Sequence, residues 1–169
     1  MKHIIFIGFK NTGKSTIGKM LANELKKPFI DLDEKIFEVY TKTPRVIMAE
    51  HGEKYFRKLE NEIFSKIIQM QKASVVALGG GTAMSPQNRE LLKKHIVIQI
   101  TAPKKIVFER INANGWPAFF PKNQLPFEAF QKLWHEREPV FKKLANVTVK
   151  NDGSPQKIIT QLLQQLPTI

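Results

Sequence analysis

The run Gly8-Phe9-Lys10-Asn11-Thr12-Gly13-Lys14-Ser15-Thr16 restricts this chain more than any other stretch. It fits G-x-x-x-x-G-K-S/T directly after the apolar Ile4-Ile5-Phe6-Ile7. An apolar run that enters a glycine-rich turn and leaves as an amphipathic stretch (Ile17, Met20, Leu21, Leu25) reads as buried strand, loop and helix. Such a loop is a phosphate cradle. Gly8 and Gly13 let the backbone wrap a phosphate chain, with Asn11 and Thr12 between them and Thr16 continuing the helix. The helix start near Lys14 turns its unpaired N–H groups and positive dipole end toward the same place. Lys14 adds a charge for the β and γ phosphates, and Ser15 a hydroxyl suited to Mg²⁺.

With 169 residues the chain fits one domain with a substantial core, and no apolar run approaches the ~18 residues of a membrane span. No leader is visible ahead of the first strand, and the absence of cysteine excludes disulfides and thiolate metal sites. A cytoplasmic monomer is the expectation. The formal charge is +12, but the 27 Lys and Arg are scattered, without the aromatic-interleaved basic stretch of a nucleic-acid surface. A solvated Lys-rich surface fits better, one that draws in small anions, with neither nucleic acid nor membrane as partner. His3, His51, His95 and His135 are too far apart for metal-ligand spacing.

In chain order, a helix from Lys14 to about Leu25 is followed by the short strand Phe29-Ile30, which delivers Asp31-Leu32-Asp33 at its end. In an open parallel sheet ligands bind beyond the strand ends, and a period of two puts Asp31 and Asp33 on one side of the chain. A helix from Glu34 to Tyr40 follows. Thr43-Pro44 opens a short helix that Gly52 ends, and the next runs from about Glu53 to Gln71. Its stripe Phe56, Leu59, Ile63, Ile67, Met70 faces the core, while Arg57 sits beside the stripe where the helix dipole disfavours a cation. Ser74 to Leu78 reads as a central strand ending in Gly79-Gly80-Gly81, where backbone N–H groups can approach a ligand closely.

Ser85-Pro86 caps a helix reaching Lys94, Ile96 to Ile100 is the fourth strand, and Pro103 opens a helix ending near Arg110. From Asn112 to Pro126 periodicity vanishes, which predicts a lid or else a small satellite aromatic core. A helix from Pro126 to Arg137 precedes Pro139 and a short helix to Ala145. Val147 to Val149 is the fifth strand, Asn151-Asp152-Gly153-Ser154 a turn, and Pro155 starts the terminal helix. Strands alternating with helices, five strands in all, predict a three-layer α/β P-loop domain with right-handed crossovers.

Six separated motifs together resemble the shikimate kinase family, from Ile4 to about Leu166. They are Gly8 to Thr16, Asp31-Leu32-Asp33, Gly52 to Arg57, Gly79-Gly80-Gly81, Arg137-Glu138-Pro139-Val140-Phe141, and Asn151 to Pro155. The resemblance implies a three-layer α/β P-loop kinase fold with a five-stranded parallel sheet and a mobile lid, and transfer of the γ-phosphoryl of Mg-ATP to a ring hydroxyl of shikimate. It implies that Lys14 holds the transferring phosphoryl and that Ser15 and Asp31 hold Mg²⁺, Asp31 through water. It further implies Asp33 as hydroxyl partner and base, and Arg57, Arg137 and the Gly79, Gly80 and Gly81 backbone as the acceptor site, the arginines gripping a carboxylate. Arg110, Asp152 and Pro155 would flank the adenine. Where the family's lid has Arg-Pro and two apolar residues, this chain has Trp116-Pro117-Ala118-Phe119, and Lys122 is the lid's cation. Two other readings stand beside it: a P-loop kinase of another hydroxy acid, sugar acid or nucleotide, and a non-catalytic nucleotide-binding homologue.

Overall fold

Ile4-Ile5-Phe6-Ile7 is buried at every residue, as a strand covered on both faces must be. The computed structural model describes residues 2–113, 115 and 125–166. Among them β1 (Ile4–Ile7), β2 (Phe29–Asp31), β3 (Val75–Ala77), β4 (Ile96–Thr101) and β5 (Val147–Lys150) form one parallel sheet in the order β2-β3-β1-β4-β5. The helices are α1 (Lys14–Glu24), α2 (Leu32–Tyr40), α3 (Pro44–Ile68), α4 (Pro86–Leu92), α5 (Lys104–Ala113), α6 (Pro126–Leu144) and α7 (Pro155–Gln165). Alternate residues of β1 point to opposite faces. Ile4 and Phe6 pack with Ile17, Leu21, Ile158 and Leu162 of α1 and α7. Ile5 and Ile7 join the larger core with Leu32, Leu59, Phe64, Val107, Phe130 and Phe141 from the helices of the other face. The expected three-layer α/β fold with five parallel strands is therefore present. None of the described helices is long and apolar enough to cross a membrane.

Several boundaries differ from the sequence expectation. Asp31 caps α2, its Oδ1 accepting the N–H of Asp33 at 3.0 Å, so the helix begins at Leu32 instead of Glu34. The alternation argument for Asp31 and Asp33 thus does not apply, because Asp33 is already helical. Met70, expected in the core, is 45% exposed, since α3 stops at Ile68. The two expected helices around Pro139 are one. Pro139 removes an N–H from α6 and costs about 3 kcal/mol, yet Phe130, Arg137 and Phe141 are buried on both sides of it and hold the helix together. Gly52 does break α3, with φ 81° and ψ 166°.

Where the strands begin, two buried histidines take up backbone N–H groups beside the strand pairing. The N–H of His3 donates to His95 Nδ1 (3.1 Å), and the N–H of Ser74 donates to His3 Nδ1 (3.2 Å). Burial first, then the neighbouring His3, pushes the His95 pKa from 6.5 down to about 4. Between those values the unfolded chain binds more protons than the folded one. This contribution to stability is therefore complete above pH 6.5 and is lost as the pH falls toward 4. His95→Asn keeps an acceptor for His3 and removes the titration. Urea unfolding from pH 7 to 4 should then show a flatter pH dependence in the variant than in wild type.

Candidate active site

Strand register sets the site. Phe6 and Asp31 both lie opposite Ala77, so β1, β2 and β3 end at one level. The loop from Gly8, the Asp31–Asp33 segment and the Gly79–Gly81 turn consequently emerge side by side at the C-terminal edge of the sheet. Gly8 has no room for a side chain, because a Cβ would run into the Ile100 carbonyl. Gly13 adopts φ 101° as the N-terminal residue before α1, a left-handed conformation that other residues resist.

The loop is braced through its carbonyls. That of Phe9 accepts from Lys14 Nζ at 2.8 Å and from Thr12 Oγ1 at 2.9 Å. That of Asn11 accepts from Arg110 Nη1 at 3.1 Å, and that of Thr12 from Asn151 Nδ2 at 2.8 Å. Ser15 Oγ donates to Asp31 Oδ2 at 2.5 Å, linking the start of α1 to the end of β2. A cavity of about 290 Å³ is lined by Asn11, Gly13, Lys14, Ser15, Thr16 and Arg110. A second, of about 230 Å³, is lined by Asn11, Lys14 and Ser15 again, now with Asp31, Asp33, Arg57, Glu60 and the three glycines. A larger cavity of about 540 Å³ opens between α4 and the end of α6, and none of the expected site residues lines it.

Charge in the site is strongly perturbed. Burial pushes the Lys14 pKa down to about 8, against the pull of Asp33 and Asp31. Asp33 stands at the cavity mouth, open to solvent on one side and crowded by protein on the others. Desolvation first, then Asp31 and Glu60, pushes its pKa up to about 6. Arg57 donates to Glu60 Oε2 at 2.7 Å and to Glu53 Oε1 at 3.1 and 3.2 Å. Burial works against its charge, but those two carboxylates outweigh it and raise its pKa. Arg137 is buried over the Phe9 ring, 5.7 Å from its centroid, and donates to the Gly80 carbonyl at 3.1 Å. Burial, then repulsion by Arg57, lowers its pKa to about 10.

Comparison with known proteins fits this geometry. The family model for shikimate kinase matches residues 10–167. The chain belongs to the shikimate kinase family. Shikimate kinase of Rhodococcus jostii is 33% identical over 163 residues, 96% of each chain. That of Thermodesulfovibrio yellowstonii is 31% identical over 168 residues, 98% of this chain and 95% of its own. The solved structure of shikimate kinase from Acinetobacter baumannii in complex with shikimate is 27% identical, with a TM-score of 0.90 covering 99% of this chain and 94% of that one. Shikimate kinases are ATP-dependent, and this chain is accordingly an ATP-dependent kinase by family.

Within this shikimate kinase fold most expected residues converge, but not all in the same way. Lys14, Ser15, Asp31, Asp33, Arg57 and the three glycines line one cavity, whereas Gly8, Thr12 and Arg137 support it from behind. Asp152 is exposed and Pro155 opens α7, and neither lines the two loop cavities. Trp116 and Lys122 lie outside the described residues.

Sequence reasoning missed Arg45, which lines the cavity from the start of α3, and Glu60. Glu60 is 1% exposed and accepts from both Arg57 and Thr82 Oγ1 (2.8 Å). Its spacing of three from Arg57 on one helix was the available signal. Glu60→Ala leaves Arg57 without its buried counter-charge and Thr82 without an acceptor. We expect a loss of roughly 3 kcal/mol, read as a lower urea midpoint with unchanged slope, and a smaller loss for Glu60→Gln.

Proposed function

We propose that this chain transfers the γ-phosphoryl group of ATP to a ring hydroxyl of shikimate. The observation that carries the reading is the shared wall: Asn11, Lys14 and Ser15 line both loop cavities. One cavity has the features of a phosphate cradle, and the other has a carboxylate and a guanidinium at its rim. Phosphoryl transfer is mostly positioning and charge neutralisation, which is what such a junction supplies.

On the donor side the loop N–H groups and Lys14 would hold the phosphates, with Arg110 alongside and the Asp152–Pro155 turn near the adenine. Ser15 and Asp31 offer two hard oxygen donors 2.5 Å apart, the donor type that Mg²⁺ takes along with water and phosphate oxygens. When bound, that ion neutralises phosphate charge. On the acceptor side Arg57 and Arg137 repel each other while crowded by protein, and a substrate carboxylate relieves that repulsion. The planar guanidinium also matches a carboxylate better than an ammonium does. Gly81 leaves room for Arg57, whose Nη2 is 2.5 Å from where a Cβ would stand. Asp33, with its pKa near 6, is ionised at neutral pH yet basic enough to take the proton of an attacking hydroxyl. We further propose that the chain acts as a monomer in the cytoplasm, with no nucleic-acid or membrane partner.

ADP release measured with shikimate, gluconate and nucleoside monophosphates as acceptors tests the reading. We expect shikimate to be preferred at least 100-fold in kcat/KM, and a faster gluconate reaction would overturn it. Lys14→Ala should remove most of the rate with the fold intact. Asp33→Asn should lower kcat by roughly 10²- to 10⁴-fold. Arg137→Ala should raise the shikimate KM and leave ATP affinity nearly alone.

Trp116 stands where the family resemblance expects an arginine. A cation delivered to the transferring phosphoryl can be worth roughly 10³- to 10⁵-fold in other P-loop enzymes. Trp116→Arg should therefore raise kcat with little change in either KM, since the interaction is felt mainly in the transition state. Equal kcat in wild type and variant would mean that the charge is supplied elsewhere or not needed.

A further inference from the structure

We infer that Asn151 is a positioning residue that presets the phosphate loop for ATP. The inference rests on the ATP reading above and concerns a residue to which that reading gives no role. Asn151 immediately follows β5 and is 8% exposed. Its own N–H donates to the Thr101 carbonyl at 2.7 Å, which fixes its backbone to the end of β4. Its Oδ1 accepts the N–H of Gly153 at 3.4 Å, and its Nδ2 donates to the Thr12 carbonyl at 2.8 Å. One amide therefore joins the loop after β1 to the turn after β5, 139 positions apart in sequence.

The direction of that bond matters. In a trans peptide the C=O and the following N–H point opposite ways, and the described chain contains no cis bond. Holding the Thr12 carbonyl on Asn151 thus aims the Gly13 N–H away from Asn151, toward the cavity that Gly13 lines. Gly13 is the residue whose left-handed φ of 101° starts α1, and a Cβ there would strike Asn151 Nδ2. No side chain caps that helix start. The peptide unit that turns the loop into the helix is therefore held from outside, by Asn151, so that the loop need not be ordered by the nucleotide. Because the same side chain accepts from Gly153, the loop and the Asp152–Pro155 turn are set relative to each other, and the phosphate and base ends of one nucleotide are matched in spacing.

Two substitutions test this, with binding of Mg-ATP and of shikimate each measured by calorimetry on the full chain and the melting temperature as a fold check. Asn151→Ala removes the donor without adding charge and should weaken Mg-ATP at least fivefold, leaving shikimate binding within twofold of wild type. Asn151→Asp is isosteric and cannot donate when ionised, so at pH 8 it should weaken Mg-ATP more than tenfold. Burial beside the Thr12 carbonyl favours the protonated acid, which can donate again. The ratio of variant to wild-type affinity should therefore recover several-fold as the pH falls from 8 to 5.5. Mg-ATP binding by Asn151→Ala within twofold of wild type overturns the inference, since only charge would then explain Asn151→Asp. Equal loss of both substrates, or a ratio flat with pH, assigns Asn151 a merely structural part and overturns it too. If wild type itself fails to bind Mg-ATP, the functional reading falls first and the inference falls with it.

Discussion

The site depends on the parallel register of β1, β3 and β2. That register is fixed by hydrophobic packing: a one-residue slip of β1 would exchange the face of Ile5 and Ile7 with that of Ile4 and Phe6. Both faces are covered by helices, so either exchange would upset two cores of different shape. With the register locked, Asp31 has to end its strand level with Ala77 and Phe6. The 2.5 Å contact between Ser15 and Asp31 is then a consequence of core packing carried two strands across the sheet.

Around this frame the charges are sorted. Arg57 is satisfied by Glu53 and Glu60, and its charge is held firmly. Burial pushes the pKa values of Lys14 and Arg137 down to about 8 and about 10, against the pull of the carboxylates around them. Asp33 moves the other way: burial first, then the carboxylates of Asp31 and Glu60, pushes its pKa up to about 6. Groups shifted in opposite senses around one cavity are the signature of a site built to receive charge.

Strand identity, helix identity and the sheet were legible because each strand is a short apolar run bounded by Gly, Pro or Asp, and each helix carries a stripe. The phosphate loop and the triglycine turn were legible as glycine runs at strand ends, where space is short: a Cβ at Gly8 meets backbone, and one at Gly81 would push the Arg57 guanidinium aside. Boundaries read less well where local and tertiary preferences oppose each other. Pro139 is a helix breaker by its own chemistry, but buried neighbours at Arg137 and Phe141 overrule it. Asp31 ends a strand and caps a helix at once, which alternation cannot express. Glu60 and Asn151 were missed as partners for a different reason. Each also acts by contact across the fold, Glu60 on Thr82 and Asn151 on Thr12, separations with no local signal, although the spacing of Glu60 from Arg57 on one helix was readable.

The break in α3 shows how a single residue reconciles the helix with the cavity. Arg45 and Met48 line it from before Gly52, and Phe56, Arg57 and Glu60 from after. On a straight helix Arg45 and Arg57 would stand about 18 Å apart along the axis, at 1.5 Å per residue. Both instead line one cavity. Gly52 turns the chain with φ 81° and ψ 166°, a region reserved for glycine. Nothing lies within 4 Å of where its Cβ would be, so the demand for glycine is conformational and not steric. Any other residue there would cost roughly 1 to 3 kcal/mol of backbone strain. Relieving that strain by straightening the helix would carry Arg45 and Met48 away from the wall they share with Arg57. The glycine that opens the Gly52-Glu53-Lys54-Tyr55-Phe56-Arg57 motif therefore closes the cavity on its Arg45 side as surely as the arginine that ends it lines the other.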